Sequence, residues 1–118
     1  MKMTLYIAKE NINYNIRKIL EELRKRIMDI QEVNETIDDG QIIYQHFGED
    51  FCVIKIKKNS LEIDFKANKI LEDPMEFSWK IKPTIEQKFN RRMQLKNIAQ
   101  IDTVFGLIFQ ACNITGTK

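Results

Sequence analysis

From Asn11 onward the chain alternates apolar and polar residues at helical spacing. Ile16, Ile19, Leu20, Leu23, Ile27 and Ile30, preceded by Ile12, recur at steps of three and four. That spacing draws one apolar stripe along a helix. Asn11 or Asn13 has the side chain to cap its first turn. The opposite face holds Arg17, Lys18, Glu21, Glu22, Lys25 and Arg26. These form the (i, i+4) pairs Arg17–Glu21, Lys18–Glu22, Glu21–Lys25 and Glu22–Arg26, each of which adds roughly 0.2–0.5 kcal/mol to an exposed helix. Two charges of the Arg24-Lys25-Arg26 run are therefore partnered, and the run reads as a solvated face rather than a nucleic-acid patch.

Residues 4–8 form a short apolar run, a predicted edge strand. After the acidic turn Asp38-Asp39-Gly40 the period shortens to two. Three strands are predicted, over residues 41–47, 51–58 and 61–67. Asn59-Ser60 suits a two-residue hairpin loop, with Asn tolerating positive φ. That placement pairs Ile56 with Ile63, Ile54 with Phe65 and Cys52 with Ala67 on one face. Lys57 then meets Glu62, and Lys55 meets Asp64, on the other. Pro74 and Pro83 bracket Phe77, Trp79 and Ile81, which alternate with Ser78, Lys80 and Lys82 as an edge strand would. Phe89, Arg91, Met93 and Leu95 continue the alternation, which needs Met93 and Leu95 inside and turns Arg92, Gln94 and Lys96 outward. Asn97 with Gln100 has the form of a capping box. The helix it opens buries Ile101, Val104, Phe105, Ile108, Ala111 and Cys112, with Leu107 and Phe109 around the sides, and ends at Gly116. The predicted fold is α+β: an antiparallel sheet of four to six strands with an N-terminal and a C-terminal amphipathic helix packed on one face. Its core should contain Leu23, Ile54, Phe65, Phe105 and Ile108.

Length fits this pattern with a single domain, 1–118, large enough for a core without metal or disulfide staples. Cys52 and Cys112 match no metal motif and no disulfide framework, so they read as reduced, buried thiols. No apolar run is long enough for a signal peptide or a membrane span, and the expectation is a cytoplasmic protein with no membrane partner. With four glycines there is no phosphate-cradling loop, and no cofactor is expected. The single histidine, His46, lies in a strand with no visible Ser/His/Asp or Cys/His set.

Charge changes the picture more. Net charge is +2, yet residues 1–50 carry seven Lys/Arg against ten Asp/Glu, and residues 51–118 carry twelve against seven. Six of the twelve, Lys80, Lys82, Lys88, Arg91, Arg92 and Lys96, fall within residues 80–96 beside Glu86 alone. Cations interleaved with Trp79 and Phe89 suit nucleic acid, through phosphate contacts and ring stacking. Lys80, Lys82, Arg91, Arg92 and Lys96 are the candidate nucleic-acid-binding residues. The plainer alternative puts Trp79 and Phe89 in the core, with the cations decorating the other strand face. A second constellation, Asp50 with Asp64-Phe65-Lys66, matches half of a restriction-nuclease site, in which two carboxylates hold Mg²⁺ and the lysine orients water. The hairpin register competes with it by assigning Asp64 to Lys55.

The order of signals from Asn13 resembles an uncharacterised bacterial and archaeal domain family often labelled a predicted transport protein. The resemblance is carried by the N-terminal helix (IRKILEELRKRIMDI), an aromatic strand (IIYQHF), the hairpin (EDFCVIKIKKNSLEIDF) and the final helix (IDTVFGLIFQA). It does not extend over residues 71–89. Members stand alone or are fused to nuclease and restriction-type proteins, so the resemblance implies an accessory role near nucleic acid or a nuclease-type partner, with no catalytic residue to carry over. Three function classes follow. The first is a non-enzymatic binding or accessory module associated with nucleic acid or nuclease and defence machinery. The second is a protein-interaction or inhibitor domain, such as a homodimer using one sheet face. The third is a metal-dependent nuclease through Asp50, Asp64 and Lys66.

Overall fold

The computed structural model describes residues 13–86 and 88–114. The edge strand read over residues 4–8, the cap at Asn11 and the stop at Gly116 lie outside the described residues. Helix α1 (Tyr14–Met28) starts where the sequence allows. Asn13 is extended at the cap, and its side-chain oxygen accepts from the Ile16 N–H at 2.8 Å. Lys25 and Arg26 in the last turn oppose the negative end of the helix dipole.

Six strands follow in one sheet: β1 (Val33–Asp38), β2 (Gln41–His46), β3 (Glu49–Ile56), β4 (Leu61–Phe65), β5 (Trp79–Lys80) and β6 (Arg91–Leu95). Their order is β1-β2-β3-β4-β6-β5, with every neighbouring pair antiparallel. Strand β1 is an addition to the sequence reading. Its signal was Asp39-Gly40, a hairpin dipeptide, with φ of 50° and 78° as a primed two-residue turn requires. The next hairpin repeats the device at Phe47 and Gly48, with φ of 53° and 80°. A 3₁₀ turn (Ile98–Gln100) carries the expected Asn97/Gln100 capping box and leads into helix α2 (Ile101–Ile114).

Both helices pack on one face of the sheet. Ile16, Leu20, Leu23 and Ile27 of α1 and Ile101, Val104, Ile108 and Cys112 of α2 share a core with Ile42, Ile54, Ile63, Phe65, Met93 and Leu95. A bulge between Tyr44 and Gln45 lets Phe51 and Cys52 both turn into that core. Of the predicted core set, Leu23, Ile54, Phe65 and Ile108 are fully buried, whereas Phe105 is half-buried at the rim.

The β3–β4 register corrects the expected one. Ile54 lies opposite Ile63, Lys55 opposite Glu62 and Ile56 opposite Leu61, two residues away from the predicted pairing. Neither Asn59 nor Ser60 has positive φ. Instead the Lys57 N–H donates to the Ser60 carbonyl at 3.0 Å, leaving Lys58 and Asn59 at the tip. The N-cap of α1 holds that tip: the Asn13 N–H donates to the Lys58 carbonyl, and the Asn13 amide donates to Asn59 Oδ1 at 3.0 Å. A slip of two keeps every side chain on its face, so the pattern survives while the partners change. The strand read around residues 77–81 shrinks to Trp79–Lys80, at the sheet edge as expected.

Candidate nucleic-acid interface

Strand β6 parts its two arginines. In an antiparallel ladder, residues directly opposite each other share a face. Arg92 lies opposite Asp64 and Trp79, on the side that neither described helix covers. Arg91 lies opposite Phe65 and Lys80, on the helix-bearing side.

Arg92 is held by acids. Its Nε and Nη2 donate to the two oxygens of Asp64 at 2.7 and 3.1 Å, a bidentate pair. Lys55 Nζ donates to the same carboxylate at 3.0 Å, and Glu62 stands 3.8 Å from Lys55 and 3.5 Å from Arg92. Burial alone would raise the Asp64 carboxyl, whose side chain is 1% exposed, but the hydrogen bonds from Arg92 and Lys55 outweigh it and hold it below the usual carboxylate range. Two cations and two carboxylates cancel, so this side of β6 presents little charge. Trp79 beside it is 44% exposed, which corrects the reading of that ring as core; Phe89 is buried.

Arg91 is oriented by neutral groups. Its Nε donates to Ser78 Oγ at 2.9 Å and its Nη2 to the Ser78 carbonyl at 2.8 Å, with Asp73 3.8 Å away. The Asp73 carboxylate is occupied by the backbone N–H groups of Phe77 and Ser78, both at 2.9 Å, and by the Ser78 hydroxyl at 2.6 Å. Burial would raise that carboxyl, but these bonds from Ser78 and Phe77, with Arg91 nearby, hold it low. Arg91 Nη1 makes no hydrogen bond within the described residues. Arg91 thus points a fixed, partly unspent guanidinium into a cleft of about 620 Å³, lined also by Asn68, Lys69, Asp73, Lys80 and Asn90. Asn90 clamps the cleft by bonding the Ala67 backbone at both N–H and C=O, each at 2.9 Å. Neither Lys69 nor Lys80 forms an ion pair with a described residue, and both are exposed.

The five expected cations therefore do not form one face. Lys80 and Arg91 meet in the cleft, and Arg92 is consumed behind it. Lys82 is exposed in the loop after β5, outside the cleft lining. Lys96 lies at the opposite end of β6, beside Lys18 and Asn97. Lys69, absent from the sequence reading, is brought in by the β4–β6 pairing, which joins segments more than twenty residues apart and leaves no local signal.

Asp50, Asp64 and Lys66 do not converge either. Asp50 accepts from Gln45, Lys66 pairs with Glu49 at 3.2 Å, and Asp64 is enclosed by Lys55 and Arg92. Among the described residues no group of three or more His, Cys, Asp or Glu side chains is placed to hold a metal ion. The His46 ring meets Phe47 in a tilted contact at 4.6 Å and Phe51 edge-on. A half-buried cluster also escaped the sequence because β1 did: Glu35 accepts from Arg24 at 2.8 and 3.0 Å and from the Tyr44 hydroxyl at 2.7 Å, so Arg24 is partnered as well. No described helix is long and apolar enough to cross a membrane. Compared with known proteins, the chain matches no protein family, no curated protein and no solved structure.

Proposed function

We propose that this domain is a non-enzymatic binding module that engages the phosphate backbone of nucleic acid at the Lys69–Lys80–Arg91 cleft. The observation that carries the reading is the convergence of three cations on one opening whose single carboxylate, Asp73, is already satisfied by three donors. Arg91 is positioned before any ligand arrives, which lowers the ordering cost of a phosphate contact. Lys69 and Lys80 contribute mobile point charges. Two or three such contacts make weak binding, with a salt slope of about −0.9 per phosphate neutralised on duplex. The resemblance to a family fused to nuclease and restriction-type proteins supports an accessory role beside such a partner. A cytoplasmic setting fits, since Cys52 and Cys112 are buried free thiols.

The test is fluorescence anisotropy with short single-stranded DNA, single-stranded RNA and duplex DNA at two salt concentrations. Binding should weaken steeply with salt, disappear in a Lys69→Glu/Lys80→Glu double variant and survive Lys96→Glu. Absence of binding at low salt, or indifference to the double variant, overturns the reading.

A further inference from the structure

We propose that the cleft at Arg91 prefers the phosphorylated end of a nucleic-acid single strand to the phosphates inside one. This preference rests on the proposed function, since it names which phosphate of the polymer the site takes.

The bonds still open in the cleft decide the matter. Three side chains of its lining carry acceptor oxygens, and all three are occupied. Asn68 Oδ1 accepts from the Ile70 N–H at 3.1 Å and Asn90 Oδ1 from the Ala67 N–H at 2.9 Å, while Asp73 holds three donors from Phe77 and Ser78. The unspent side-chain capacity is therefore all donor. Arg91 Nη1 and the Asn68 amide nitrogen donate to no described residue, yet both side chains are already oriented, one by Ser78 and the other by Ile70. Lys69 and Lys80 add two ammonium groups. A base edge or a sugar hydroxyl would set donors of its own against these. A phosphate brings acceptors only.

Charge and shape then separate an end from an interior. Lys69, Lys80 and Arg91 against Asp73 leave the lining two positive charges. An internal phosphodiester carries one negative charge, and its two ester links leave it two free oxygens. A terminal phosphate is a monoester, with a charge of about −1.5 to −2 at pH 7 and three acceptor oxygens. The cleft, at about 620 Å³, has the size of a small-ligand site. A strand end enters it with a single nucleotide, whereas an internal phosphate brings a nucleotide on either side and a paired end brings its complement.

Fluorescence anisotropy at low salt tests this with three single-stranded DNA oligonucleotides of one sequence, each labelled on an internal base. One is unphosphorylated, one carries a 5′-phosphate and one a 3′-phosphate. A phosphorylated strand should bind about tenfold more tightly than the unphosphorylated one, the gain from one further charge-assisted contact. Whether the 5′ or the 3′ end shows the gain gives the polarity with which the strand enters. Arg91→Lys keeps the charge but loses the fork, so it should remove most of the preference and retain salt-sensitive binding of the unphosphorylated strand. The wild-type comparison decides by itself should that variant fold poorly. Equal binding of all three strands, or a preference undiminished in Arg91→Lys, overturns the inference and leaves the proposed function intact. Absence of binding by every strand overturns both.

Discussion

Arg91 and Arg92 are neighbours in sequence with the same charge and the same reach, yet the fold gives them opposite work. Arg92 and Lys55 meet Asp64 and Glu62 in a group that sums to zero. Arg91 is oriented by a serine hydroxyl and a carbonyl, with one carboxylate, Asp73, 3.8 Å away and itself held by three other donors. A basic stretch is therefore a poor unit of function. What a cation can do for a ligand depends on whether its orienting partner is charged, and in a strand that is decided by the face it occupies.

Both environments hang from one core, and the largest effect should come from weakening it. Leu23→Ala or Ile108→Ala, each at a fully buried site, should cost roughly 2–5 kcal/mol in urea denaturation. Because the two arginine sites share that core, either change should lower stability without separating them.

Arg92→Ala should come next, at roughly 2–3 kcal/mol. That is less than for breaking a fully buried pair, because Arg92 is 30% exposed and Lys55 stays with Asp64. Nucleic-acid affinity measured on the folded fraction should stay nearly unchanged. The same site sets a pH dependence. The folded Asp64 carboxyl titrates below its unfolded value of about 3.9. Its contribution is thus present above about pH 4 and lost as pH falls through the folded value. The stability gap between wild type and Asp64→Asn should therefore be constant near neutrality and close in acid.

Arg91→Ala should invert the pattern. Losing hydrogen bonds to neutral Ser78 groups costs only about 1 kcal/mol, while binding at low salt should fall severalfold. If Arg91→Ala and Arg92→Ala weakened binding equally, the contrast drawn between them would be wrong. The smallest effect belongs to Gly106→Ala, where a Cβ meets no atom within 4 Å, and which should raise stability by roughly 0.5–1 kcal/mol in a thermal melt.

Much of this fold is legible in local pattern. The stripe from Ile16 to Ile27, the alternation through Ile54 and Ile63, and the Asn97/Gln100 cap each rest on neighbours a few residues apart, and each is realised. Strand β1 was missed because Val33–Asp38 offers only Val33 and Ile37 as apolar signals, despite the Asp39-Gly40 turn beside it. The alternative that put Trp79 in the core fails because a two-residue edge strand is too short for alternation to settle its face. The candidate site was half legible: Lys80 and Arg91 were foreseen, and Lys69 was not.

By itself the sequence determined which side of each long strand and helix faces the core, because burying the apolar set is the dominant driving force and parity follows from it. It did not determine the β3–β4 register, since slips of two residues preserve every face. The Asn13 contacts to Lys58 and Asn59, made across more than forty residues, accompany the register the chain adopts. Nor could it decide which cations remain available. That follows from strand order: placing β6 beside β4 sets Asp64 against Arg92 and brings Lys69 to Arg91, and strand order is a property of the assembled sheet alone.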